Sequence, residues 1–141
     1  MDVESPAGPY RDSILIDADP AVVFDYFTDA RALASWMGDD AFVEPFPGGR
    51  FTIFFGPRAV EGHYVAIEPP YRLVITWGRS GDPDFAPGTS TLEVTLTAER
   101  GGTLVSIVHS GLPDKERDRH RDGWRHYLPR LASVVATRHA T

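Results

Sequence analysis

Cysteine is absent from this 141-residue chain, which excludes disulfides and thiolate chemistry. No long apolar run is present either. The amino terminus, Met1-Asp2-Val3-Glu4, is acidic, so neither a signal peptide nor a membrane span is expected, and the default compartment is the cytoplasm. Positive charge is in deficit, with 14 Lys and Arg against 20 Asp and Glu and a net charge of −6. That balance argues against nucleic acid or a stable association with an anionic membrane as partner, since both need a basic field. The densest basic run, Lys115 to Arg125, is interleaved with Glu116, Asp118 and Asp122 and reads as a solvated helix face.

Catalytic signatures are missing as well. There is no HExxH, and His120 and His126 lie on different faces of their segment, so no metal ligand set is expected. There is no GxSxG, and Ser110 beside His109 on a strand points to the other face. Gly48-Gly49 is flanked by strand patterns without a following helix, unlike a phosphate loop. The acidic pairs Asp39-Asp40, Asp17 with Asp19, and Asp82 with Asp84 sit in turns and read as caps and loop solvation. The expectation is no catalytic residue, no cofactor and no metal.

What is present is enough for one core: 42% of the chain is hydrophobic and 11% aromatic, in a chain sized for a single domain. Residues 1–9 read as a loose leader and 10–141 as the domain. The segment Asp114 to His139 organises the rest. Trp124, Tyr127, Leu128, Leu131, Val134 and Val135 recur at steps of three and four, while Arg125, Arg130, Ser133 and Thr137 face the other way. A long helix with one apolar stripe must lie on a surface that completes its contacts. Asp114 is the expected N-cap, and Pro129 is expected to kink the helix on its solvent side.

Before that helix the pattern reads as a strand from Tyr10 to Ile16, a short helix capped by Asp19 and opened by Pro20, and a second short helix from about Ala30 to Trp36. Period-two segments follow at Ala41–Phe46, Arg50–Phe55, Val60–Glu68, Tyr71–Gly78, Thr89–Glu99 and Thr103–Ser110, joined by turns. The predicted class is α+β: an antiparallel sheet of six to seven strands curving around the last helix, with two short helices after the first strand.

Assigned by period, the inward face carries Phe51, Ile53 and Phe55; His63, Val65 and Ile67; Leu73, Ile75 and Trp77; Leu92, Val94 and Leu96; and Val105, Ile107 and His109. Thr52, Thr76, Glu93, Thr95 and Ser106 fall on the outer face, which therefore reads as polar. A space left between sheet and helix would be apolar with a few polar groups, as small-molecule sites are. The candidate ligand-binding set is Trp36, Phe51, Ile53, Phe55, His63, Val65, Ile75, Trp77, Phe85, Leu92, Val94, His109, Trp124, Tyr127, Leu128 and Leu131, with Trp36 and Phe85 at the mouth and the histidines fixing orientation.

Several segments together carry a resemblance. They are Ala18-Asp19-Pro20 with Val23-Phe24, Leu33 to Trp36-Met37-Gly38, Pro47-Gly48-Gly49-Arg50-Phe51, Glu68-Pro69-Pro70 with Leu73-Val74-Ile75-Thr76-Trp77, Gly102-Thr103, His109-Ser110-Gly111-Leu112, and Gly123-Trp124 with Leu128 and Leu131. In this order and spacing, from Tyr10 to Ala136, the chain resembles the SRPBCC, or START-like, superfamily. Within it, the chain is similar to the branch of activator of heat-shock-protein-ninety ATPase homologue-like proteins. The resemblance implies a helix-grip fold with a deep cavity between sheet and last helix. It implies binding of a small hydrophobic or aromatic ligand, lipid-like or polyketide-like. The alternatives it brings are a polyketide cyclase or aromatase working through an inward histidine, and a co-chaperone-like interaction domain. A protein partner or homodimer is compatible with the last.

Overall fold

The computed structural model describes residues 8–139, so most of the expected leader lies outside the described residues. The chain forms β1 (Tyr10–Ile16), α1 (Pro20–Thr28), α2 (Ala30–Ala34), β2 (Asp40–Val43), β3 (Arg50–Phe55), β4 (Arg58–Glu68), β5 (Arg72–Arg79), β6 (Ser90–Glu99), β7 (Gly102–Ser110) and α3 (Asp114–Arg138). The seven strands make one antiparallel sheet in the order β1-β7-β6-β5-β4-β3-β2. The first strand thus pairs with the last, Tyr10 opposite His109 and Ile16 opposite Thr103. The α+β helix-grip architecture predicted above is the one observed. No described helix is long and apolar enough to cross a membrane.

Helix α3 buries Trp124, Leu128, Leu131 and Val135 along one stripe and leaves Arg125, Arg130, Ser133 and Thr137 exposed. It runs unbroken through Pro129, which is exposed, as are its neighbour Arg130 and Arg125, whose carbonyl loses its helical donor. The expected caps need revision. Pro113, not Asp114, is the N-cap of α3; its carbonyl accepts from the Glu116 amide at 2.8 Å, and Asp114 is already helical, its charge near the positive helix end. Asp19 precedes α1 in extended conformation, but its side chain makes no cap hydrogen bond, whereas Asp29 caps α2 by accepting from Ala32 N.

The face assignment holds for β3, β5, β6 and β7, where Phe51, Ile53, Leu73, Ile75, Trp77, Leu92, Val94, Leu96, Val105, Ile107 and His109 are buried. It fails in β4. Glu61 pairs with Gly78 and Tyr64 with Ile75, but Ala66 pairs with Val74, so one extra residue enters β4 between Tyr64 and Ala66. This bulge changes the parity. Ahead of it Gly62 and Tyr64 point inward, and His63 and Val65 are exposed; beyond it Ile67 packs against the core. His63 and Val65 therefore lie on the outer face. Gly62 is required where it stands, because a Cβ there would come within 1.8 Å of the Thr76 carbonyl oxygen.

The outer face is also less polar than expected. Phe42 on the edge strand β2 and Phe54 on its neighbour β3 are 45% and 39% exposed, and Phe42 shares its face with Thr52, its cross-strand partner, which is buried. Tyr64, on the inner side, donates its hydroxyl to the Phe27 carbonyl at 2.8 Å and meets Phe51 edge to face. The revised β4 parity has a direct test in thermal unfolding. His63→Ala is expected to change stability by no more than about 0.5 kcal/mol, and Tyr64→Ala to cost about 3–5 kcal/mol. Equal effects would contradict the bulged register.

Candidate functional site

Strand β5 carries Trp77 to the centre of the sheet's inner face, where its ring lies 5.6 Å from Phe51, 5.7 Å from Trp124 and 5.5 Å from His109. Helix α3 brings Trp124 down onto this cluster, and a hydrogen-bonded relay fixes the contact. The Trp124 indole N–H donates to His109 Nδ1 at 3.1 Å, so the other ring nitrogen, Nε2, carries the proton and donates to Ser90 Oγ at 3.0 Å. Ser90 in turn donates to the Trp77 carbonyl at 2.8 Å. Both histidine nitrogens are thus committed to protein partners. Burial, with the nearby His120 as a second cause, pushes the His109 pKa down to about 3. His109 is a neutral structural link, with no nitrogen left for a ligand or a reaction.

Most of the space between sheet and helix is filled. A void of only about 10 Å³ remains among Trp36, Phe51, Ile53, Ile75, Trp77 and Leu92, at the limit of one water. Trp36 and Phe85, expected at a mouth, are 1% and 0% exposed. Trp36 is held by its N–H to the Tyr26 carbonyl at 2.9 Å, and Phe85 is capped by the Arg79 guanidinium and the edge of His120. Val94, Leu128 and Leu131 are core residues that line neither space. In place of the deep cavity implied by the resemblance, the structure has a cleft of about 270 Å³ beside the first half of α3.

Of the predicted site residues, Phe55, Trp77, Trp124 and Tyr127 line this cleft. The sequence pattern missed Met37, Arg58, Ala59, Val60, Arg79, Arg119, His120 and Gly123, which complete it. Spacing carried a signal for some of these: His120, Gly123, Trp124 and Tyr127 stand at i, i+3, i+4 and i+7 on one helical face. The basic run Lys115–Arg125 is therefore not wholly a solvated face, since Arg119 and His120 reach the cleft. A wider surface depression of about 770 Å³, lined by Asp29, Arg31, Asp39, Asp40 and Arg138 among others, has no aromatic wall.

Two electrostatic features shape the cleft. Arg79 grips the buried Glu116 bidentately, at 2.9 and 3.0 Å, and also bonds Asp82 at 3.0 Å. Those bonds hold the Glu116 carboxyl below its usual range. His120 takes a bond between Nδ1 and the Glu116 carbonyl at 3.0 Å, which leaves Nε2 without a partner among the described residues; burial lowers its pKa. The second feature is an orphan. The Trp77 indole N–H is buried with no hydrogen-bond partner, in a residue that borders both the cleft and the small void. A buried unpaired donor is costly, so this N–H marks Trp77 as a residue to explain. No group of residues able to hold a metal occurs among the described residues.

A seven-stranded sheet gripping a C-terminal helix, with an aromatic cleft at their junction, defines a helix-grip protein. The family model "Activator of Hsp90 ATPase homolog 1-like protein" matches residues 17–136, and the chain belongs to that family. The activator of 90 kDa heat shock protein ATPase homolog of Dictyostelium discoideum is 28% identical over 116 residues, 79% of this chain and 29% of that protein. The chain therefore spans less than a third of the length of such curated relatives. Among solved structures, an AHSA1-like protein from Rhizobium etli is 37% identical with a TM-score of 0.70, covering 96% of this chain and 87% of that one. A putative protein in the dynemicin biosynthetic locus shares the fold at 24% identity and a TM-score of 0.78, covering 94% of this chain and 48% of that one.

The neutral His109 relay has a pH signature. Its folded pKa lies below the ordinary value near 6.5, so the unfolded chain binds the extra proton. The stability this contributes is complete above pH 6.5 and is lost as pH falls from there toward 3, amounting to about 1–2 kcal/mol by pH 5. In His109→Gln the fall in Tm between pH 7 and pH 5 should be shallower than in the parent chain. Parallel curves would place the proton elsewhere.

Proposed function

We propose that this protein binds a small, largely apolar aromatic molecule in the cleft between β3, β4, β5 and the first half of α3, as a binder rather than a catalyst. The unpartnered indole N–H of Trp77 carries this reading, set beside a wall of Phe55, Trp124, Tyr127 and Met37. Apolar walls supply affinity through burial, and a lone donor supplies orientation, the usual division of labour in small-molecule sites. At about 270 Å³ the cleft lies near the lower end of the range for small-molecule sites. This favours a one- or two-ring molecule over a long lipid. A cyclase mechanism through His109 has no support, because both of its ring nitrogens are occupied.

A second reading rests on a different surface. The family and its curated relatives are named for activation of a chaperone ATPase, and the exposed Phe42 and Phe54 form an apolar strip on the outer edge of the sheet. Chaperone docking would use that strip and leave the cleft unused.

The cleft reading is tested with 2-naphthamide, a neutral bicyclic probe whose carbonyl can accept from Trp77. Titration should shift the Trp77 indole N–H resonance in ¹H–¹⁵N spectra. Trp77→Phe should weaken binding about 2- to 10-fold, the worth of one neutral hydrogen bond. Resonance changes confined to the Phe42–Phe54 strip, or none at all, would count against the cleft.

A further inference from the structure

The chain carries a net charge of −6, yet no carboxylate lines the cleft, while three arginines do: Arg58, Arg79 and Arg119. Their situations differ. Arg79 is spent, since its guanidinium is held by Glu116 and Asp82. Arg58, at the start of β4, is exposed and makes no ion pair among the described residues. Arg119 has a side chain 62% exposed and only a 3.5 Å contact to Glu116, a carboxylate already gripped by Arg79. The cleft therefore ends in two cations with guanidinium capacity to spare, beside an apolar floor that holds the orphan donor of Trp77.

A cationic rim of this kind on an acidic protein is electrostatically matched to an anion, and a guanidinium matches the planar, two-oxygen geometry of a carboxylate. Resting on the cleft reading above, the geometry points to a ligand class: an aromatic carboxylate, its ring system on Trp77, Trp124 and Phe55 and its acid group held at the rim by Arg58 and Arg119. A neutral aromatic of the same shape would satisfy the floor and leave the rim unused. Selectivity for the acid thus comes from two exposed arginines that β4 and α3 bring to one opening.

The test compares 2-naphthoate with its neutral isostere 2-naphthamide by isothermal titration calorimetry on the same protein, at low and at high sodium chloride. The expected result is naphthoate binding at least tenfold tighter at low salt, with the advantage shrinking as salt screens the exposed arginines. In the Arg58→Gln/Arg119→Gln double variant the ratio of the two affinities should fall toward one. Equal affinities in the parent chain would overturn the acid assignment and leave the aromatic cleft standing. A ratio that survives in the double variant would overturn the role of these two arginines. Failure of both probes to bind would remove the cleft reading itself, and the acid assignment with it.

Discussion

The contact between Trp124 and His109 is the joint on which this fold turns. Helix α3 cannot stand alone, because its apolar stripe is only one side wide. Shape and burial press it onto the sheet, but hydrogen bonds fix where it sits. The relay runs from the indole of Trp124 through the imidazole of His109 and the hydroxyl of Ser90 to the carbonyl of Trp77. It links α3 to β7, β6 and β5 in turn. Every donor in it finds an acceptor, so a polar path is carried through the core at little cost. The relay also requires a neutral imidazole with its proton on Nε2, and burial keeps it so.

What the joint leaves behind defines the site. The relay uses the carbonyl of Trp77 and leaves its indole N–H unbonded. Around it the aromatic rings are packed nearly to completion, from Tyr64 through Phe51 and Trp77 to Trp124, and on through His109 and His120 to Phe85. A helix-grip fold is open to many cavity sizes, and here large side chains have consumed most of the interior. The remaining cleft opens along the first half of α3, where Gly123 brings no side chain and His120 is drawn back to its own helix by Glu116.

Membership of the activator family places this chain among proteins named for a chaperone interaction, although it spans under a third of those curated relatives. The cleft and the exposed Phe42–Phe54 strip lie on opposite faces of the sheet, so the two proposed functions would draw on separate residues. A fold of this type does not choose between them; the residues on each face do.

Much of the fold was legible in the chain, because strand and helix periods are local properties. Leu92, Val94 and Leu96 alternate without interruption and are buried as predicted, and the stripe of α3 was plain from its spacing. The cleft was legible only through its aromatics, since Phe55, Trp77, Trp124 and Tyr127 belong to those same periods. Its arginines were not: a charged residue at a strand start or on a helix flank looks solvated until its neighbours are known. His63 and Val65 were misplaced because one inserted residue reverses parity, and nothing in the composition of β4 announces it. The sequence by itself determined the elements, their order and, outside β4, their apolar faces, for these follow from contacts within a few residues. Only the tertiary structure decided how full the interior is, which histidine is locked and which cations share an opening, because each depends on side chains brought together from distant strands and a helix.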